Sequence, residues 1–214
     1  KEIKDCIEMT TYIIDKINTA VKTSGKNYSD FAVLYRTNAL GRALQTVFAK
    51  SGMPYKVVGD MSFYERKEVK DMIAYLSVVG SEGDNLRLKR IINEPKRKIG
   101  QTTVEAIEAI AAEQSLSMFE VIKQADRYVA LKRSESTLLG FAELIDHLRG
   151  LLDTDISLEA FVNQVLDRSG YRQMLIDGGE EEKDRLDNIE EFISGVIDYC
   201  ERADEPTLTG FLEE

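Results

Sequence analysis

The chain has 214 residues, which is enough for one large domain or two small ones. Hydrophobic residues make up 43% and charged residues 31%, with only 3 Pro and 14 Gly, and this composition excludes collagen-like, low-complexity and disordered proteins. The formal net charge is −10, from 28 Lys and Arg against 38 Asp and Glu. Nucleic acid would therefore be repelled unless positive charge is gathered in one place.

Residues that build metal sites or disulfide frameworks are scarce. Cys6 and Cys200 belong to no Cys-x-x-Cys pair, and His147 is the single histidine of the sequence. We therefore expect no metal site and no disulfide framework. No apolar run approaches the roughly 18 residues of a membrane span, so the sequence predicts a cytoplasmic protein without a membrane partner. The abrupt ends of the sequence suggest an excerpt of a longer protein.

Two short apolar runs in the first sixty residues have the pattern of strands. The runs Phe31–Tyr35 and Tyr55–Val58 are continuous, which is typical of strands buried on both faces in a parallel sheet, so strands are predicted at about 31–36 and 55–58. A helix beginning near Asn38 separates them and predicts a right-handed strand, helix, strand unit. Two such strands cannot stand alone, so we expect further strands outside residues 1–214 to complete the sheet.

The rest of the sequence has helical periodicity. Two capping boxes, Thr102-x-x-Glu105 and Ser117-x-x-Glu120, are each expected to open a helix. Further helices are predicted over residues 2–24, 38–51, 66–79, 86–93, 134–152, 157–168 and 181–202. The predicted fold is thus α/β and predominantly helical, with an incomplete parallel sheet followed by an all-α domain.

The junction between the first predicted strand and its helix is a candidate nucleotide site. Ligands of parallel sheets bind beyond the carboxyl ends of strands, and Tyr35 and Arg36 lie at that position. A guanidinium can pair with phosphate oxygens through two hydrogen bonds, and a tyrosine can offer a flat face to a purine. The alternative is structural, with the arginine in a salt bridge at the sheet edge and the tyrosine packed in the core.

A basic segment is the second candidate. Six basic residues face a single acid, Glu94, within twelve residues, and the segment is followed by Gly100 and the hydroxyls of Thr102 and Thr103. Such a group suits the phosphates of a nucleic acid and predicts affinity without sequence choice. A solvated helix face followed by a turn is the alternative reading. The six basic residues are Arg87, Lys89, Arg90, Lys96, Arg97 and Lys98.

Other features give weaker signals. Tyr64 precedes a predicted helix and Tyr171 lies in a short glycine-containing corner; either could contact DNA, although core packing explains both. No Gly-x-x-x-x-Gly-Lys-Ser/Thr loop is found, and no Asp-Glu pair follows a buried strand to hold magnesium. By itself the chain is not expected to hydrolyse a nucleotide.

Three ordered blocks resemble the second motor domain of UvrD/PcrA/Rep-type superfamily-one DNA helicases. They read DFAVLYRTNALGRALQ, PYKVVGDMSFYERKEVKDMIAYL and IINEPKRKIGQTTVEAI, and the later stretches VLDRSGYRQML and RLDNIEEFI are similar to the inserted helical domain 2B. The resemblance implies a partial motor domain 2A over residues 1–125, with a RecA-like, P-loop NTPase-like sheet, and a partial domain 2B over 126–214.

The resemblance also implies roles for individual residues. Arg36 matches an arginine that contacts the γ-phosphate of ATP, and Tyr35 matches a residue that stacks on adenine. The block PKRKIG matches a segment that usually reads Arg-Gly-Ile-Gly and lies against the DNA backbone, with Lys98 in place of the first glycine. This implies DNA contacts for Lys96, Arg97, Lys98 and Gly100, and the predicted DNA site also includes the adjacent hydroxyls of Thr102 and Thr103.

The predicted function is that of a fragment of an ATP-dependent 3′ to 5′ DNA helicase acting in repair or replication. ATP and Mg²⁺ would serve the parent protein, and no cofactor is expected on the fragment itself. Its partners would be the remaining motor domain and DNA, as a single strand or at a junction between single and double strands. Two alternatives stay open, namely a non-enzymatic helical interaction module and the helicase subunit of a recombination helicase-nuclease.

Overall fold

A computed structural model describes residues 6–35, 38–57, 63–81 and 83–213. They divide into two compact units, residues 1–60 and residues 61–214. The elements of the described residues are helices joined by loops and short 3₁₀ turns. The helices are α1 (Cys6–Ser24), α2 (Asn38–Ser51), α3 (Lys67–Gly80), α4 (Asn85–Ile91), α5 (Gln101–Gln114), α6 (Met118–Lys123), α7 (Glu135–Leu152), α8 (Leu158–Arg168), α9 (Tyr171–Asp177), α10 (Lys183–Arg202) and α11 (Leu208–Glu213).

The described part of the first unit is a pair of packed helices with two non-helical segments beside them. Helices α1 and α2 contact each other along their apolar faces, as the helical spacing of their apolar residues predicts. The small core of this unit consists of Ile14, Ile17, Leu44, Phe48 and Met53. The segments 31–35 and 53–57 are not helical and lie against this core: Phe31, Val33 and Tyr35 pack on it, Met53 belongs to it, and the Tyr55 ring lies 5.6 Å from that of Phe48.

The predicted RecA-like parallel sheet is wrong, because the described residues contain no strand and the fold they form is all-α. A strand requires a ladder of hydrogen bonds to a neighbour, and no backbone hydrogen bond joins the described parts of these two segments. Burial on both faces also fails: Phe31, Val33 and Tyr35 pack on the core, but Leu34 is 95% exposed. An apolar run therefore indicates that a segment tends to be buried. Whether it forms a strand depends on a neighbouring segment with which its backbone can hydrogen-bond.

The second unit is built around α3. Ten of the 14 residues of α3 are buried, so this helix is surrounded on nearly all sides rather than amphipathic. Helices α4, α7, α8, α10 and α11 all contact it. One hydrophobic core extends from Val69 to Leu208 through these helices. The domain boundary predicted near residue 125 stays a prediction, and the core is continuous on both sides of that position.

Most helices follow the predicted periodicity. The Ser117-x-x-Glu120 capping box is confirmed, since the Ser117 hydroxyl accepts from the Glu120 amide and the Glu120 carboxylate accepts from the Ser117 amide. These hydrogen bonds hold the pKa of Glu120 below its ordinary value. Helices α9 and α11, of 7 and 6 residues, were not predicted. None of the described helices has the length and apolar character needed to cross a membrane.

Candidate nucleic-acid interface

The basic loop, residues 92–100, connects α4 to α5 and is fixed by one side chain. Asn93 lies at its start, and its Oδ1 accepts hydrogen bonds from the backbone amides of Arg97 (2.8 Å) and Ile99 (3.1 Å). Ile99 is 1% exposed and anchors the end of the loop in the core. Two of its amides donate to Asn93 and the Ile99 side chain is buried, so contacts within the protein give the loop a defined shape without any ligand.

Within this loop, Arg97 is turned toward the protein interior. Its Nη1 donates to the carbonyl oxygens of Ile91 (3.0 Å) and Pro95 (3.1 Å). Its Nη2 donates to the Tyr75 hydroxyl (2.7 Å) and to the carbonyl oxygen of Ser169 (2.9 Å). The guanidinium also lies 5.3 Å from the centre of the Phe141 ring. The sequence predicted a DNA contact for Arg97, and the structure places its charged group against backbone carbonyls instead.

Lys96 and Lys98, on either side of Arg97, are exposed. Neither side chain has an ion-pair or hydrogen-bond partner among the described residues. Lys98 has a φ of 63°, in the left-handed region that favours glycine. The family resemblance implies a glycine at this position, and a positive φ is a conformation that glycine adopts more readily than lysine.

Gly100 is the N-cap of α5, with no side-chain cap, so the predicted capping box at Thr102 is wrong. Instead Glu105 accepts from the Gln101 amide side chain at 3.1 Å. A side chain at Gly100 would meet no atom within 4 Å, and Thr102 is exposed. The first turn of α5 thus has amide groups that no side chain caps, together with the positive end of the helix dipole.

The other basic residues of the segment have acidic partners. Arg87 pairs with Asp84 at 3.0 Å and Lys89 pairs with Glu108 at 2.7 Å. Arg90 donates to the buried carboxylate of Asp71 at 2.6 Å. Of the six bases that the sequence brings together, Arg97 donates to neutral groups inside the protein, and Lys96 and Lys98 are the two that are exposed without a partner among the described residues.

Arg133 is a further cation that the sequence analysis missed. The Thr103 hydroxyl lies 3.2 Å from that of Ser134, the N-cap residue of α7, so the first turn of α5 adjoins the segment before α7. Arg133 immediately precedes Ser134 and is exposed. The basic pair Lys132-Arg133 before a helix start was a detectable signal, but its proximity to Thr103 depends on a contact between residues 31 positions apart.

The two weaker candidates differ in placement. Tyr171 is 1% exposed, and its hydroxyl donates to Asp71 Oδ2 at 2.7 Å, so it belongs to the core. Burial, followed by the charge of Asp71, raises the pKa of Tyr171 well above its ordinary value, and the hydroxyl remains a donor. Tyr64 is 61% exposed, with its ring edge-on to Phe63 at 5.3 Å.

The predicted nucleotide residues belong to the first unit. Arg36 lies outside the described residues. Tyr35 is half-buried and lines a groove of about 760 Å³ together with Phe31, Leu44 and Phe48, a volume within the range of small-molecule sites. The Tyr35 ring lies so close to α2 that a Cβ at Gly41 would be 2.5 Å from it.

The described residues fit parts of ATP only. The flat Tyr35 ring and the apolar lining of the groove suit a purine base. For Mg²⁺ they do not fit, because the described residues include no cluster of three or more His, Cys, Asp or Glu side chains that could hold a metal ion.

Comparison with known proteins identifies the class to which this chain belongs. The family of UvrD-like helicase C-terminal domains matches residues 1–214, so the chain belongs to it, and the resemblance seen in the sequence is confirmed. Among the relatives, the ATP-dependent DNA helicase PcrA of Staphylococcus aureus is 41% identical over 194 residues, covering 89% of this chain and 26% of the relative. The ATP-dependent DNA helicase PcrA of Staphylococcus epidermidis is 40% identical over the same length and shares. The chain thus spans about a quarter of the length of these relatives.

Proposed function

We propose that this chain is part of an ATP-dependent DNA helicase that separates duplex strands, with the 3′ to 5′ polarity and the repair or replication role that the family resemblance implies. The family match over residues 1–214 supports the class of protein. The contribution of this chain would be to hold DNA and to complete a nucleotide site together with a second motor domain.

The basic loop carries the DNA-binding part of the proposal. Lys96 and Lys98 are exposed and have no described partner, and they stand beside the uncapped first turn of α5. Ammonium groups and backbone amides at a helix start bind phosphate and do not read base edges, so we expect affinity without sequence preference. Gly100 leaves room for close approach of the DNA backbone, and Thr102 adds an exposed hydroxyl. Thr103 helps to place this turn through its contact with Ser134.

The experiment measures how the affinity of the 214-residue chain for duplex DNA depends on salt. A double variant, Lys96→Gln with Lys98→Gln, keeps side-chain length and removes two charges. Each lost phosphate contact lowers the slope of log K against log salt by about 0.9, so we expect a decrease of about 1.8 in magnitude.

A matched control keeps the net charge of the two variants equal. Arg87→Gln with Lys89→Gln also removes two positive charges, but these already pair with Asp84 and Glu108. This control should retain the parent slope. Equal slopes in the Lys96/Lys98 variant and the parent would contradict the proposed contact, and binding insensitive to salt would favour a protein-interaction module instead.

The nucleotide part of the proposal concerns Tyr35 and Arg36. In a complete protein, Tyr35 would stack on the adenine of ATP and Arg36 would pair with its γ-phosphate, while the other motor domain would supply the phosphate loop and the Mg²⁺ ligands. Hydrolysis of ATP would supply the free energy for strand separation. In the full-length protein, Arg36→Ala should abolish most ATP turnover, and turnover within about twofold of the parent, below roughly 0.5 kcal/mol of barrier, would contradict this role.

A further inference from the structure

We propose that Arg97 is a positioning residue, which holds the basic loop in its DNA-binding conformation from inside the protein instead of touching phosphate. This proposal rests on the proposed function of Lys96 and Lys98. Its basis is the set of hydrogen bonds from one guanidinium to groups that belong to three different parts of the second unit.

The first of these parts is the basic loop itself together with the end of α4. Arg97 Nη1 lies within 3.1 Å of the carbonyl oxygens of Ile91 and Pro95. Carbonyl groups at the end of a helix lack intrahelical partners, and a buried carbonyl left without a donor is costly. The Ile91 carbonyl also accepts from the amide of Glu94 at 3.1 Å, so Arg97 adds a second donor there and supplies a donor to the carbonyl of Pro95.

The second part is the corner between α8 and α9. Arg97 Nη2 donates to the carbonyl oxygen of Ser169 at 2.9 Å, across 72 residues of sequence. The Ser169 hydroxyl in turn accepts from the amide of Tyr171 at 3.3 Å, so this corner has its own hydrogen bonds. The loop is thereby tied to a segment that packs in the core, which restricts its movement relative to the helices.

The third part is the centre of α3, through Tyr75. The Tyr75 hydroxyl donates to the carbonyl oxygen of Glu94 in the loop at 2.6 Å and accepts from Arg97 Nη2 at 2.7 Å. Burial raises the pKa of Tyr75 to about 12, against a smaller opposing effect of Arg97, so the hydroxyl keeps its proton at neutral pH. The Tyr75 hydroxyl thus links Glu94 to Arg97, one residue on each side of the turn.

Lysine could not replace these contacts. A guanidinium is planar and presents five N–H donors in fixed directions, whereas an ammonium is a single point with three donors. The planar group also lies 5.3 Å from the Phe141 ring centre, where its face or edge can contact the ring. The flanking Lys96 and Lys98 do not need this geometry, since a phosphate contact requires only charge and reach.

The test compares Arg97→Lys with a matched control in the 214-residue chain. Arg149 has a related environment, since its guanidinium lies 4.4 Å from the Phe119 ring centre, donates to the carbonyl oxygen of Val78 at 2.9 Å and lies 3.7 Å from the Asp146 carboxylate. Arg149→Lys therefore makes the same chemical change in the same unit. Binding is measured with duplex DNA over a series of salt concentrations, at a temperature where both variants are folded.

For Arg97→Lys we expect the dissociation constant to rise about fivefold or more and the salt slope to fall in magnitude by about 1 to 2. The reason is that the loop would no longer hold Lys96 and Lys98 in position to contact phosphate. Arg149→Lys should leave both quantities at the parent values. A loss of stability alone would not change the salt slope of the folded protein. If Arg97→Lys has the parent's affinity and slope, the proposal is wrong.

A second variant covers the case in which Arg97→Lys does not fold. Tyr75→Phe keeps the ring and removes only the hydroxyl, so it should loosen the loop with less damage to the core. We expect faster hydrogen exchange at the amides of Arg97 and Ile99 and weaker DNA binding in the same direction; unchanged exchange and binding would overturn the proposal. Failure of the proposed function is distinguishable, since there the Lys96/Lys98 double variant itself would bind like the parent.

Discussion

Both units of the chain have a core of buried apolar residues, but the second unit also buries carboxylate groups on its central helix. The described part of residues 1–60 is held by contacts between two helices and the segments 31–35 and 53–57, around a core that includes five buried hydrophobic residues. In residues 61–214 the buried helix α3 also carries two buried carboxylates, Glu68 at 3% and Asp71 at 1% exposure. Each has cationic or hydrogen-bonding partners from helices far away in sequence.

This difference affects how precisely each unit fixes the positions of its helices and loops. Apolar contacts stabilise burial but tolerate small shifts, whereas a buried carboxylate must keep its partners within hydrogen-bond distance. Asp71 accepts from Arg90 of α4 and Tyr171 of α9, and Glu68 accepts from Asn188 of α10. We infer that the second unit fixes its helices, and hence the basic loop, more tightly than the first unit fixes its non-helical segments.

The largest expected effect is on the stability of the second unit. Asp71→Ala leaves the Tyr171 hydroxyl buried without its acceptor and Arg90 without its anion. Since Arg90 is 35% exposed and water can partly replace the lost partner, we expect a loss on the order of 3 kcal/mol, at the low end for a broken buried pair. Urea unfolding followed by circular dichroism measures it.

Asp146→Ala is the control for this comparison. Asp146 is 41% exposed and pairs with Lys123 at 3.0 Å and, at the longer distance of 3.7 Å, with Arg149 in the same unit. We expect a loss below about 1 kcal/mol, as is usual for exposed ion pairs. Equal losses in the two variants would mean that the buried carboxylate of Asp71 contributes no more to stability than a more exposed ion pair.

An effect of intermediate size is expected at alkaline pH. The pKa of Tyr75 is raised from 10.0 to about 12 by burial, so the folded state keeps a proton that the unfolded state releases above pH 10. Stability is therefore fully present below pH 10 and falls as pH rises toward 12, by roughly 2 kcal/mol for this residue. Urea unfolding at a series of pH values from 8 to 12 measures the decline.

Tyr75→Phe should flatten this alkaline decline without removing it, since the pKa of Tyr171 is also raised, by burial and by Asp71. The control is Tyr64→Phe, which removes a hydroxyl from a side chain that is 61% exposed, and it should show the parent's decline. An alkaline decline of the same size in Tyr75→Phe and the parent would contradict the assignment.

The helices could be predicted from sequence wherever local pattern and tertiary packing agree. The apolar positions of α3 and the Ser117 to Glu120 capping box are examples, since both depend on spacing within a few residues. The run Phe31–Tyr35 was misjudged because an apolar run does not say whether one or both faces will be covered. Helices α9 and α11 are too short to show a periodicity.

The position of the candidate site could be predicted from sequence, but the orientation of its individual side chains could not. Lys96, Arg97 and Lys98 are adjacent and chemically similar, so no local pattern shows which one turns inward. The answer depends on Tyr75 and Ser169, which are 22 and 72 residues away from Arg97. The sequence thus indicated a phosphate-binding loop, while the separation of its cations into exposed and interior groups required the fold.

The smallest expected effect is on the first unit. Gly41→Ala would place a Cβ 2.5 Å from the Tyr35 ring, so the ring must move, while alanine itself favours helix α2 by about 1 kcal/mol over glycine. The two effects should nearly cancel in the parent. In a Tyr35→Ala background the clash is absent, and the same substitution should stabilise by about 1 kcal/mol.

The difference between these two backgrounds is a coupling energy between α2 and the segment 31–35, measured by urea unfolding of the four proteins in the cycle. A coupling of about 1 kcal/mol would show that the Tyr35 ring is held against α2 but can shift at modest cost, as expected for a unit whose contacts are apolar. A coupling near zero would mean that the ring does not rest on Gly41. A coupling above about 3 kcal/mol would mean that this segment is fixed as tightly as the network around Asp71, and the contrast between the two units would be lost.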